Sequence, residues 1–493
     1  MLIKIDPRGE LPLHQQVCEK VARLIDEGSL PAGARLPPTR GLALQLGINR
    51  STVTRAYQEL WARGYLEARP GSYSTVRGGL RPRGTNVEGP ALLDWERLSA
   101  PGARQARADF SRLLPASRSD DDSRCIDFSR LAADRGLCPV DAIKSALRWV
   151  IGKRGQALFD YGDPAGYRPL RETIARGMRV HGVSVTPDEI LITNGSQHGL
   201  DLLLRLLGRR GTTVALESPT YSMALSLCRH HGMTASGMPM HADGMDLGHL
   251  ERRLTRGRVS FVYTMPNFQN PTGITTSQIH REALLALCES HRIPLVEDGF
   301  EEELKYFGNA VLPIKSMDTG GVVIYLGTFS KVVFPGLRVG WIAAHRDCIA
   351  RLIAVARVSW LSGNVLTQAA LSRFCDDGSY EDHLRRVHRA YRRRMQTMIQ
   401  SLKKHLPNSG VEWSEPAGGY TLLLRVRTGK KMDETGLLEL LRQAGVLVSP
   451  GSIYFAKPSD SPSFRLSIAN LTEDRIQEGC RRLGRVLSQS VGD

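Results

Sequence analysis

Between residues 77 and 123 the chain loses the regular spacing of apolar residues that it keeps on either side. The stretches RGGLRPRGTNVEGP and SAPGARQARADFSRLLPASRSDDD are rich in Gly, Pro, Ser and Arg and read as a linker. Before the break, short helical patterns and tight turns fill residues 1–76. After it, strand-like apolar runs alternate with amphipathic helices. A chain of 493 residues is too long for one ordinary hydrophobic core. The break therefore marks separate units: a small helical one over 1–76, a linker over 77–123, a large α/β unit over 124–380 and a smaller α+β unit over 381–493. Inside the linker, ALLDWERLSA has the pattern of a short helix able to dock.

The candidate strands of the large unit are TTVALE, VSFVYTMP, IPLVED, GVVIYLGTFS and VGWIAAH. Continuous apolar runs alternating with helices predict a mostly parallel sheet covered on both faces. From about residue 380 a basic helix, EDHLRRVHRAYRRRMQTMIQSLKKHL, precedes GYTLLLRV, VLVSPG and SFRLSIAN. Its arginines 385, 386, 389, 392, 393 and 394 read first as a solvated face and second as contacts to phosphates.

Hydrophobic residues make up 41% of the chain, enough for sizeable cores, and the formal net charge of +16 suits a polyanionic partner. The eight cysteines are scattered without metal-ligand spacing and read as reduced thiols, so no metal is expected and the cytoplasm is. The opening MLIKIDPRGE lacks an apolar core, and no run reaches the roughly 18 apolar residues of a membrane span. The neighbours His230 and His231 read as exposed residues at a helix end.

In the first unit, LPLHQQVCEKVARLIDEG places Leu13, Val17, Val21, Leu24 and Ile25 on one helical face. Thr39 is placed to cap a second helix that Gly47 ends, and Asn49 to cap a third. On the third, Val53, Tyr57, Leu60 and Trp61 are expected inside. Polar and basic residues gather at its start. Two short helices joined by a tight turn, with hydroxyls and arginines on the second, form a helix-turn-helix suited to a major groove. GYLEARPGSYSTV reads as a hairpin wing. This stretch resembles the winged helix-turn-helix of the GntR superfamily over about residues 10–76. The resemblance implies that Arg40, Arg50, Ser51, Thr52 and Thr54 face DNA and that Gly71 lies in the wing. The wing departs from many relatives, reading Tyr73-Ser74-Thr75-Val76 after Pro70-Gly71-Ser72.

The second unit carries a spaced set of polar residues. Lys331 follows a strand within GTFSKVVFPGLRVGW. Lysine is the side chain that joins an aldehyde cofactor. Thr328, Ser330 and Arg338 bracket it with groups fit for a phosphate. Gly195, Ser196 and Gln197 open an apolar helix whose amino terminus also suits a phosphate. Asp298 ends IPLVED, where a carboxylate reaches a pocket at the carboxyl edge of the sheet and meets a ring nitrogen. Tyr221 is placed to stack on that ring, and Asn270, in NPTG, to bond its hydroxyl.

This ordered set, with YGDPAGYRPLRETIARGM, resembles the fold-type I aminotransferases over about residues 126–485. The resemblance implies pyridoxal 5'-phosphate as cofactor, Lys331 as the internal aldimine lysine and catalytic residue, and Asp298 as partner of the pyridinium. It assigns Asn270 to the ring hydroxyl, Tyr221 to stacking, and Ser196, Gln197, Thr328 and Arg338 to the phosphate. It also implies that Arg465, in SFRLSIAN, grips the α-carboxylate of the ligand. One departure stands out. Relatives carry a tyrosine shortly after the aspartate, and this chain has Glu297-Asp298-Gly299-Phe300. Phe300 has no hydroxyl to donate, which puts efficient transamination in question.

The whole chain resembles the MocR/GabR family, a GntR-type winged helix joined through a linker to an aminotransferase-like body. The resemblance implies a head-to-tail homodimer and an effector that is an amino compound or the cofactor itself. The expectation is a regulator that binds double-stranded DNA and senses an amine or amino acid at Lys331. The alternatives are a working aminotransferase with a vestigial head, and a DNA-binding repressor whose body holds no cofactor.

Overall fold

The computed structural model describes residues 3–7, 9, 11–67, 73–78, 93–113, 125–309, 311–407, 410–427, 433–457, 459 and 461–491. They form two compact units, Met1–Leu98 and Ser99–Asp493.

The first unit is three helices, Leu13–Asp26, Thr39–Leu46 and Arg50–Ala62, and an antiparallel pair, Leu66–Glu67 with Thr75–Val76. Val17, Val21, Leu42, Val53, Ala56, Tyr57 and Leu60 form its core. Asn49 caps the third helix, its Oδ1 accepting the Ser51 N–H at 3.0 Å. Gly47 closes the second at φ 64, a backbone region where a Cβ is costly. Two expectations are corrected. Thr39 does not cap: it is already helical, and Pro38 with its fixed φ leads the chain in. Trp61 is 61% exposed. Val53, Ala56, Tyr57 and Leu60 fill the inward face at spacings of three and four, and the residue after Leu60 is rotated off it. Gly71, with Pro70 and Ser72, lies outside the described residues.

The second unit is built on a sheet whose strands run in the order Ile190–Thr193, Gly340–Ala343, Val323–Thr328, Leu295–Asp298, Val259–Thr264, Thr213–Ser218, Thr234–His241 and Gly244–Met245. The five from Val323–Thr328 to Thr234–His241 are parallel to their neighbours in that run. Gly340–Ala343 runs against both of its neighbours. The central strands are buried along nearly their whole length, as their unbroken apolar sequences require. Thr264, Asp298 and Thr328 end three adjacent strands, so their side chains gather at one edge. This is the mostly parallel sheet expected from the sequence.

A second sheet pairs Val411–Trp413, Thr421–Val426, Ser463–Ser467 and Ser449–Pro450, with the helices Ser379–His405 and Glu473–Val491 packed together beside it. Ile126–Asp127 runs parallel to Val446–Leu447, so the first strand of this unit belongs to the carboxyl-terminal core together with Phe128. Most arginines of the basic helix have partners in the body. Arg394 bonds Asp134 and the Ala469 carbonyl, Arg393 bonds Glu473, Arg386 bonds the Leu137 carbonyl, and Arg392 lies over the Phe307 ring.

The stretch read as a linker is divided. Trp95–Leu98 is a short exposed helix, while Pro101–Leu113 is a helix packed on Ser222–His230. Asp109, only 3% exposed, bonds Arg229 Nη2 at 2.9 Å, and the Gly102 carbonyl lies 3.0 Å from His230 Nδ1. His231 reaches Asp201 at 2.7 Å, so both histidines serve as anchors. Composition reads this stretch as linker because the residue that neutralises Asp109 lies 120 positions away.

Candidate functional site

The site lies where the parallel strands end. Leu295–Asp298 delivers Asp298, buried, with Oδ2 accepting the Tyr263 hydroxyl at 2.7 Å. Its other oxygen, also buried, has no hydrogen-bond partner among the described residues. Burial pushes the Asp298 carboxyl up to about 6, against the Tyr263 hydroxyl, the Phe300 N–H and the Lys331 charge, which pull it down. Such a carboxylate is held ready for one further donor, as a protonated ring nitrogen would be.

Lys331 stands on the turn after Val323–Thr328. Thr328 Oγ1 donates to the Val339 carbonyl at 3.2 Å and accepts the Ser330 N–H at 3.1 Å, which shapes that turn. Lys331 Nζ donates to the Leu131 carbonyl at 3.0 Å. Burial lowers its basicity most; Glu301 and Asp298 raise it, and Arg465 and Arg338 lower it. A half-buried amine held in such surroundings is neutral, hence nucleophilic, more readily than a surface lysine.

Beside them is an anion cup. Gly195, at φ 84, precedes the helix Ser196–Leu207, and a Cβ there would stand 2.9 Å from Arg338 Nη2. The glycine thus lets the guanidinium lie against the helix amino terminus, where Arg338 also bonds the Asn194 carbonyl at 2.8 Å. Ser330 Oγ and Gln197 Oε1 are buried without partners among the described residues. An open cavity of about 670 Å³ adjoins the cup, lined by Asn194, Gln197 and Arg338 among others. Helix terminus, guanidinium and free hydroxyl together suit a phosphate.

The walls come from further elements. Tyr221 immediately precedes the helix Ser222–His230 and packs against the core that includes Met265 and Phe300. Asn270 is buried, and its Oδ1 accepts Arg465 Nη1 at 3.3 Å. Arg465 Nη2 donates to the Ser129 carbonyl at 2.6 Å, while its Nε has no partner among the described residues. Thus Lys331, Asp298, Asn270 and Arg465 come together, and Gly195, Gln197 and Arg338 form the adjoining cup, while Ser330 lies on the turn that carries Lys331.

Sequence reasoning missed four contributors. Tyr263 lies near the end of a parallel strand, paired with Val296, and only that position could have flagged it. The segment from Ser129 to Ala132 offers its carbonyls to Arg465, Lys331 and Asn470. It fell just beyond the linker, without a motif. Glu301 begins an acidic triplet, which reads as surface, yet it is fully buried. Tyr420 bonds both Glu301 and the Lys331 carbonyl. Gly299 is forced as well, since a Cβ there would overlap the Tyr325 hydroxyl.

On the first unit, Arg40, Arg50 and Ser51 are exposed and Thr52 and Thr54 half-buried. The Thr54 hydroxyl donates back to the Arg50 carbonyl at 2.9 Å. Among the described residues no group of three His, Cys, Asp or Glu has metal-site geometry, and no helix is long and apolar enough to cross a membrane.

Residues 129–483 match the family Aminotransferase class I and II, and residues 13–76 match the family of bacterial regulatory proteins, gntR. The chain is 30% identical to the uncharacterized HTH-type transcriptional regulator YdfD of Bacillus subtilis, over 97% of both chains. It is 29% identical to the "Probable rhizopine catabolism regulatory protein MocR" of Rhizobium meliloti, over 98% of this chain and 95% of that one. Among solved structures, LysN, an α-aminoadipate aminotransferase of Thermus thermophilus complexed with N-(5'-phosphopyridoxyl)-L-leucine, superposes with a TM-score of 0.74 at 31% identity. That match covers 81% of this chain and all of that one.

Proposed function

Because this chain belongs to the class I and II aminotransferase family and carries a GntR-type winged helix in the MocR/GabR arrangement, we propose that it is a pyridoxal 5'-phosphate-dependent transcription regulator that senses an amino compound. The family's cofactor is pyridoxal 5'-phosphate. The buried, partnerless oxygens of Asp298 and Ser330 and the glycine-lined cup under Arg338 fit its ring nitrogen and phosphate. Lys331 would hold it covalently, Asp298 would pair with the ring nitrogen, Tyr221 would stack, and Asn270 would bond the ring hydroxyl. Gly195, Ser196, Gln197, Thr328, Ser330 and Arg338 would surround the phosphate. When bound, the cofactor supplies an aldehyde that joins amines reversibly and a ring that withdraws electrons.

The effector is an amino acid or related amine. Its amine competes with Lys331, and its carboxylate takes Arg465 from the Ser129 carbonyl, a stronger, charge-assisted pairing. Tyr221 adjoins the helix Ser222–His230, whose Arg229 holds Asp109 of the helix Pro101–Leu113, which follows the tether in the chain. A ligand that favours one position of that helix shifts the tether with it, and the shift follows from differential binding alone. The working form is a head-to-tail homodimer on double-stranded DNA, with Arg40, Arg50, Ser51, Thr52, Thr54 and Gly71 toward the duplex.

The observation that carries this reading is that one chain aligns end to end with transcription regulators while keeping Asp298 buried and Lys331 half-buried near it. The test is binding to the DNA upstream of its own gene, titrated with amino acids and amines with the cofactor present. At least one must change the DNA affinity, and Lys331→Ala must abolish that change; an unresponsive affinity sinks the proposal. The second reading, a working aminotransferase, draws on 35% identity to the 2-aminoadipate transaminase of Thermus thermophilus over 71% of this chain. Turnover of amino and keto acids at rates of about 1 to 1000 per second would favour it.

A further inference from the structure

A second cavity, of about 360 Å³, lies between the helix Arg168–Val180, the strand Val323–Thr328 and the residues that follow Asp298. It shares no lining residue with the cavity beside Arg338. Its size falls within the range of small-molecule sites, about 300 to 1,000 Å³. Five aromatic rings line it: Phe300, Tyr325, Phe329, Trp341 and Tyr380. The Phe329 ring lies 5.1 Å from Trp341 and meets Tyr380 edge-on at 5.8 Å. Phe300, Tyr325 and Phe329 are buried and form the floor, while Gly177, Val180 and Glu381 are exposed and mark the mouth. The indole nitrogen of Trp341 is buried without a hydrogen-bond partner among the described residues. A donor left in that condition is costly unless a further group answers it.

Acids outnumber bases along the wall. Glu302, Glu303, Asp376 and Glu381 line the cavity together with Arg176 and His181. Arg176 pairs with Asp376, and His181 with Glu303 at 3.1 Å, which leaves Glu302 and Glu381 over. Glu302 accepts the Asn267 amide. Burial pushes its carboxyl up, and a cation beside it would offset that cost. The faces of aromatic rings also attract cations, most strongly where water is excluded. The mouth is kept open by Gly177, which sits inside the helix Arg168–Val180, where a glycine weakens the structure. A Cβ there would meet nothing within 4 Å, so packing does not demand the glycine.

We propose that this cavity is a second small-molecule site, for an organic cation with an aromatic body. Its ammonium group lies toward the acids, its ring packs among the five aromatic side chains, and an oxygen on it accepts the Trp341 indole N–H. The requirement differs from that of the effector at Lys331, which needs a primary amine and, for Arg465, a carboxylate. A ligand of this cavity needs neither, so the proposal does not depend on Lys331 as the cofactor lysine.

The probe is N,N-dimethyltyramine, whose tertiary amine cannot condense with an aldehyde. Its binding to full-length protein, with pyridoxal 5'-phosphate present, is read by titration calorimetry near neutral pH. A Kd at or below about 1 mM is expected, and a weaker one overturns the proposal. The uncharged para-ethylphenol, with the same ring and hydroxyl, should bind at least about tenfold more weakly. Equal binding of the two overturns the choice of a cation. Gly177→Phe should block the mouth and weaken binding of the amine at least about tenfold, while Lys331→Ala should leave it unchanged. Tyr380→Leu removes one ring and should cost the amine about fivefold and the phenol less. If Gly177→Phe fails to fold, Tyr380→Leu decides, and an unchanged affinity for the amine overturns the proposal. An unchanged affinity in folded Gly177→Phe does the same, as does binding that Lys331→Ala abolishes, since the amine then occupies the effector site. A DNA affinity unresponsive to amino acids would sink the sensing reading and leave this site standing.

Discussion

At Asp298 a single phenol separates two ionisation behaviours. Tyr263 donates to one carboxylate oxygen and is among the influences that keep the acid from rising further. Replacing Tyr263 with Phe should raise that pKa and weaken cofactor binding at pH 6, where less of the carboxylate then survives. About tenfold is expected there, the worth of one hydrogen bond to a charged group, with a smaller loss near pH 8. Equilibrium dialysis at the two pH values checks it, and equal losses at both would contradict the mechanism. Lys331, Asp298 and Arg338 were legible in the sequence because each sits in a local motif whose neighbours repeat the same chemical demand. Tyr263 and Glu301 were not, because their roles depend on which strand lies beside them and which glycine turn leaves room.

Among elements, the helix Pro101–Leu113 shows how composition misleads. Its sequence is rich in Arg and Ala, yet Asp109 is buried against Arg229. Asp109→Ala should cost about 1–2 kcal/mol of local stability, discounted for the partly exposed Arg229. It should leave the cofactor's absorbance unchanged and hasten protease cleavage within residues 99–113, read by mass spectrometry. If the helix transmits the effector signal, the variant also loses the effector's influence on DNA affinity. An Asp109→Arg, Arg229→Asp exchange should restore part of both. The recognition helix was better foretold, since Asn49 and Gly47 announce its ends through local backbone chemistry. There Arg50→Ala should weaken DNA binding and reduce the slope of log affinity against log salt by about one, if Arg50 meets a phosphate. Fluorescence anisotropy over a salt series reads that slope, and an unchanged value removes Arg50 from the phosphates.

For the molecule as a whole, four acids are buried at or near the carboxyl edge of the central sheet. Burial pushes Glu217 and Glu297 to about 7, Asp298 to about 6 and Glu301 to about 8. A carboxyl whose folded pKa lies above its unfolded value stabilises the fold while protonated and loses that contribution as pH rises through the folded value. Cofactor-free protein should therefore melt lower at about pH 8.5 than at about pH 5.5. The exposed Glu439 and the half-exposed Glu478, held down to about 2 by neighbouring arginines, titrate below that window and do not offset the trend. Calorimetry decides, and a melting temperature that climbs over this range would refute it. The order of strands and helices was readable at this scale, because the parallel sheet writes itself as apolar runs. The pairing of Ile126–Asp127 with Val446–Leu447 was not, since no local pattern links positions 320 residues apart.

Gly299 and Tyr325 carry a consequence for descent. With the Tyr325 hydroxyl filling the place of a side chain at 299, residue 299 cannot enlarge while the tyrosine stays. A lineage regaining a larger residue beside Asp298 must first shed that hydroxyl. Ancestral forms reconstructed along this branch should then show the two positions changing in a fixed order, the tyrosine arriving only after the glycine.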